Sequence, residues 1–158
     1  VVREKTGEGS PYAEGRQAFW RHYLERYPED AKLGVKETGS PSNWLTPEGN
    51  TQMIVSIYRA KDGVGVFLRG LRGVTSAETQ ARLAPYAQEF ERLVSGCRSI
   101  GEDGSHPGDD LDVDMENPKN WDHASDWMHD RAHAFLSAAT RLFDTSEAAN
   151  SDASDRDD

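Results

Sequence analysis

Apolar positions along this chain recur with two different periods. Tyr12, Phe19, Trp20, Tyr23, Leu24 and Tyr27 return at spacings that fall on one helical face. Ser10 followed by Pro11 starts that helix, because a hydroxyl caps a free amide and proline at the first position gives up no hydrogen bond. Pro28 ends it. The period then shortens to two. Trp44 and Leu45 begin a short strand, and 52–60 forms another after the turn-rich Pro47-Glu48-Gly49-Asn50. Asp62-Gly63 lies between the apolar runs 54–58 and 64–68, a strong hairpin signal because Asp-Gly accepts the positive φ angles of a tight turn. These three strands predict an antiparallel meander.

Helical spacing returns after Thr75, which forms a capping box with Glu78. Pro85 kinks or restarts this helix, and Tyr86, Ala87, Phe90, Leu93 and Val94 carry its apolar face as far as Gly96. Ile100 starts an expected fourth strand. The fifth is 110–115, where acids and apolar residues alternate strictly, the pattern of a half-buried strand with an acidic outer face. Asn120 is the expected cap of a last helix whose stripe runs through Trp121, Ala124, Met128, Ala132, Phe135, Ala139 and Leu142. The order is α-β-β-β-α-β-β-α, which predicts an α+β fold with an antiparallel sheet of about five strands and helices packed on it. Residues 10–143 form the expected single domain, 1–9 a flexible N-terminus, and 144–158 a disordered acidic tail without large apolar residues.

Composition refines this picture through charge. The chain has 158 residues and a formal net charge of −10. Seven acids and no Lys or Arg fall within 102–116, and six acids with one Arg within 144–158, so the rest of the chain is close to neutral. The anionic excess therefore does not by itself exclude a polyanionic partner. The single cysteine, Cys97, excludes an internal disulfide and a cysteine-based zinc site, which points to the cytoplasm. No apolar run approaches the length of a membrane helix, and Val1-Val2-Arg3-Glu4-Lys5 does not open a signal peptide.

The Phe19-Trp20 pair, the lone Trp44 ahead of the meander, the 54–68 hairpin, the helix ending near Gly96 and the closing 120–127 segment resemble a bacterial domain of unknown function. That domain is often appended to restriction-endonuclease-like proteins and also occurs alone. The resemblance spans residues 16–143, with 104–114 a local departure. It implies an accessory role and supplies no catalytic residues. In element order, size and low pI the chain is also similar to the acidic dimeric chaperones of type III secretion.

Catalytic patterns are incomplete. A restriction-type nuclease needs two carboxylates and a lysine on adjoining strands to hold magnesium and assist water, and the only Asp-x-Lys triplet, Asp30-Ala31-Lys32, follows Pro28 in a loop. His129 and His133 are four apart on the last helix, a spacing that brings two imidazoles to one metal, with Asp126 or His123 as a further ligand. The HExxH glutamate is missing, and the expected reading is surface histidines paired with Asp126 and Asp130. Asp110, Asp112 and Asp114 begin like a calcium loop, but Met115 stands where the loop needs glycine and Trp121 where it needs a bidentate Glu. Cys97 has no neighbouring base.

Binding features are stronger. Arg59, Lys61, Arg69 and Arg72 lie on and around the second hairpin with Tyr58 and Phe67 interleaved, a composition that holds phosphates and stacks bases. Trp44 and Trp127 are aromatic anchors for an interface. The expected function is a non-catalytic accessory or interaction domain without a cofactor, whose partner is another protein or a second copy of the chain. Nucleic acid is a further candidate through the basic hairpin, with Trp44, Tyr58, Arg59, Lys61, Arg69 and Arg72 as binding residues. An acidic chaperone-like dimer and a metal-dependent enzyme are the alternatives.

Overall fold

The apolar stripe at the end of the chain forms the longest helix, α4 (Trp121–Phe143). Its Ala124, Met128, Ala132, Phe135, Ala139 and Phe143 are buried because three- and four-residue spacing puts them on one face. That face meets an antiparallel sheet of β1 (Ser42–Leu45), β2 (Met53–Ala60), β3 (Gly63–Gly70) and β4 (Gly108–Asp112), ordered β1-β2-β3-β4. Leu45, Val55, Ile57, Val64, Val66 and Leu68 alternate inward along their strands and join the helix in one core. The computed structural model describes residues 11–97 and 106–145. The expected flexible N-terminus, the Ser10 cap, the strand at Ile100 and nearly all of the expected acidic tail lie outside these residues.

Three shorter helices complete the layer. In α1 (Pro11–Arg26), Phe19, Trp20 and Tyr23 are fully buried, and the Trp20 indole donates to the Ser40 carbonyl at 2.9 Å. Pro85 does restart the middle helix: α2 (Ser76–Leu83) passes through a 3-10 turn into α3 (Ala87–Leu93). Thr75 caps α2, its hydroxyl accepting from the Glu78 amide. The observed order is α-β-β-β-α-α-β-α. The architecture is α+β, with four strands among the described residues where about five were expected from alternation.

Two local expectations are corrected. The acidic strand starts at Gly108 and ends at Asp112, so Val113 and Met115 follow in a loop, where their amides donate to Asp62 and Lys61 at the β2–β3 turn. Asn120 makes no capping bond at α4. Asn117 caps the preceding 3-10 turn by accepting from the Lys119 amide, while Asn120 donates to the Asp114 carbonyl. No helix among the described residues is long and apolar enough to cross a membrane.

Side chains one turn apart fasten α1 to α4. His22 pairs with Asp122 at 2.8 Å. Arg26 donates to both oxygens of Asp126, at 2.8 and 2.9 Å, and the Tyr27 hydroxyl adds a bond of 2.6 Å to the same carboxylate. The Tyr27 bond, and then Arg26, hold the Asp126 carboxyl below the usual carboxylate range. A depressed folded-state value contributes stability that is present above the ordinary aspartate pKa of about 3.9 and is lost as pH falls through the lower folded value. Asp126→Asn should therefore lower stability in urea melts at pH 7, and the gap to wild type should close as pH falls through that acidic window.

Candidate functional site

The pleat of the sheet sorts the expected binding residues onto two sides. Trp44 on β1 stands opposite Ser56, Ser56 opposite Phe67, and Phe67 opposite Gly108. One step along, Ser42, Tyr58, Gly65 and Asp110 form a parallel row. Each large ring in these rows therefore has a small neighbour to lie across. Ser56 is covered this way, and a side chain at Gly65 would run into the Tyr58 ring. The result is a band of rings on the outer face, with Tyr58 and Phe67 centroids 6.2 Å apart and Phe67 to His106 also 6.2 Å.

Two guanidiniums close one end of the band. Arg69 sits 5.7 Å from the Trp44 ring centroid and Arg72 5.0 Å, both within cation-π range. Asp110 and Asp112 flank the opposite edge on β4. Burial, and then the Arg69 charge, push His106 below the ordinary imidazole value, which favours its neutral, stackable form at pH 7.

Arg59 and Lys61 do not belong to this face. Arg59 follows Tyr58, so the period of two turns it inward. It is 9% exposed, lies over Phe19 and donates to the Met115 carbonyl at 3.3 Å. Burial, and then Arg16, lower its pKa. Lys61, in the turn, lies 4.7 Å over the Tyr12 ring. With Arg16 and Trp121 the two line a separate cavity of about 330 Å³. Trp127 packs partly buried against the core.

The histidines of α4 have a partner that their neighbours in sequence do not supply. His129 Nδ1 is 2.9 Å and His133 Nε2 2.8 Å from the two oxygens of Asp30, and the Asp30 side chain is 0% exposed. The expected pairing with Asp126 and Asp130 is replaced, because the 3-10 turn Pro28–Leu33 presents Asp30 beneath this face of α4. Tyr23 donates to the same carboxylate at 2.6 Å, and the Tyr27 ring stacks on His129 at 3.7 Å and 5°. His133 also lines an open groove of about 610 Å³ with Glu48, Thr140 and Arg141. Asp30 is not among the expected site residues. Its Asp-x-Lys setting suggested only an incomplete nuclease motif, and the 99 and 103 residues that separate it from the histidines leave no local signal. His123 is exposed, and Asp126 is engaged by Arg26 and Tyr27.

The remaining acids serve local structure: Asp109 and Asp114 accept from the amides of Asp110 and Glu116, and Asp109 also meets Arg131 of α4 at 2.9 Å. Burial raises the Cys97 thiol pKa, away from a reactive thiolate. Comparison of the chain with protein-family models, with curated proteins and with solved structures finds no match.

The flat seating of Tyr58 depends on the missing side chain at residue 65. Gly65→Ala should push the ring off the sheet and destabilise the fold by about 1 kcal/mol, the low end of overpacking because a ring tip can swing aside. A urea melt, with the Tyr58 ring resonances followed by NMR, checks both effects.

Proposed function

We propose that this chain is a recognition domain that holds single-stranded nucleic acid against the outer face of its sheet. The observation that carries the reading is the Trp44 ring with two guanidiniums over it, 5.7 and 5.0 Å from its centroid, at the end of a ring band shared by β2 and β3. Unpaired bases present flat π faces, and an antiparallel sheet that displays rings offers them stacking surfaces, while arginines meet the phosphates between. Asp110 and Asp112 at the far edge repel a phosphate backbone, which restricts the footprint to the Trp44 side and disfavours a long duplex. An accessory role beside nuclease-type proteins, as the sequence resemblance implies, accords with such a surface.

Fluorescence anisotropy of a labelled oligonucleotide tests this on the full chain. Single-stranded DNA or RNA should bind more tightly than duplex, and more weakly as salt rises. Trp44→Ala should weaken binding roughly 5- to 150-fold, the range of about 1–3 kcal/mol for one lost stack. Arg72→Ala should reduce the salt slope by roughly one. Absence of binding at about 100 µM protein in low salt, where even non-specific complexes form, or equal affinity of wild type and Trp44→Ala, would overturn the reading.

A further inference from the structure

We infer that Asp30, His129 and His133 form a binding site for a divalent first-row transition metal of the zinc type. Each contributes one ligand atom, and the three atoms lie within 4.8 Å of one another. Among the described residues they are the one group of histidine, cysteine and carboxylate side chains with this geometry. A tetrahedral ion with bonds of about 2.0–2.1 Å sets its donors roughly 3.3 Å apart. His129 Nδ1 and His133 Nε2 approach different oxygens of the Asp30 carboxylate, at 2.9 and 2.8 Å, so an ion entering between the rings opens both contacts and takes one of these oxygens, or both, as its carboxylate ligand.

The surroundings are those of a metal ligand set. Two imidazoles one helical turn apart and one carboxylate are a nitrogen-rich, borderline donor set, which selects zinc, cobalt, nickel or copper over magnesium and calcium. Tyr23 fixes the Asp30 carboxylate by a 2.6 Å bond from its hydroxyl. Stacking on Tyr27 fixes the His129 ring plane. When His129 Nδ1 turns its lone pair to an ion, its proton resides on Nε2, 4.0 Å from Glu29 Oε2, and an approach of about an ångström would make Glu29 the hydrogen-bonded outer partner that a metal-bound imidazole ordinarily has. Three protein ligands leave a fourth position, and His133 connects the cluster to the open groove along α4, from which water or a ligand atom completes the shell.

The site is distant in composition from the sheet face and stands or falls independently of it. The test uses the full chain without an affinity tag. Zinc titration by calorimetry should give one equivalent per chain, and cobalt should give the intense visible bands of a low-coordinate site that zinc abolishes. His133→Ala, at a position 37% exposed and therefore tolerant, should weaken zinc binding at least about tenfold. Asp30→Asn keeps the shape and removes the charge, and should do the same. His123→Ala, outside the cluster, should bind as wild type does. Failure of the wild type to take up one zinc, or unchanged affinity in His133→Ala, would overturn the assignment.

Discussion

One helix has to satisfy three sets of partners at once, and the 3.6-residue period decides which side chain serves which. Along α4, Ala124, Met128, Ala132, Phe135 and Ala139 face the sheet, Asp122 and Asp126 face α1, and His129 and His133 face the 3-10 turn that carries Asp30. The small residues in the first set bring the helix close to the strands, and that closeness lets Arg131 reach Asp109 on β4. A shift of one residue in this register would set Ser125, His129 and His133, or Trp127 and Arg131, against the sheet in place of Ala124, Met128 and Ala132, so the apolar contact fixes the polar ones. The buried Asp30 side chain depends on the same register, since a polar group out of water persists only where hydrogen-bond partners meet it.

The outer face obeys a different rule. There, among the described residues, the rings of Trp44, Tyr58 and Phe67 stand opposite Ser56, Gly65 and Gly108, on the same face as the buried Ile54. Arg69 and Arg72 flank Trp44, which stays partly exposed. Its strand is anchored by Asn43, a buried amide that exchanges two bonds of 2.9 Å with the backbone of Lys36. At the end of the turn before it, Gly34 adopts φ 128 and passes close to the Trp44 carbonyl, an approach open to a residue without Cβ.

Much of the fold was legible in the sequence because it is local. Lys61-Asp62-Gly63 marks the place of the hairpin, although the turn is Lys61-Asp62 without the expected positive φ and Gly63 opens β3, where a side chain would meet the Leu111 carbonyl. Thr75 marks the start of α2, and the alanine and aromatic stripe marks α4. Pairings over longer spans were not legible. Arg59 reads as part of a basic hairpin until the pleat turns it away from Arg69, and Asp30 reads as a loop residue until α4 returns to it. The alternation through 110–115 predicted a strand to Met115, but the chain leaves the ladder after Asp112 to bond the β2–β3 turn. Backbone bonds to a neighbouring turn carry no trace in hydrophobic periodicity.

Both ends of α4 are tied to parts of the chain made much earlier. Near its start His22 meets Asp122, 100 positions on, and at its finish Asp144 accepts from the Asn50 amide, 94 positions back, with Thr145 bonded to the same loop. The meander between them closes through short turns, which form quickly, whereas these clasps enclose large loops and carry a larger closure entropy. A growing chain can therefore complete its strands while the inner side of the sheet still lacks its lid. Until residue 145 has been added, Val55, Ile57, Val66 and Leu68 remain without their main apolar cover, so the interval before α4 docks is the one in which this protein is most exposed to self-association.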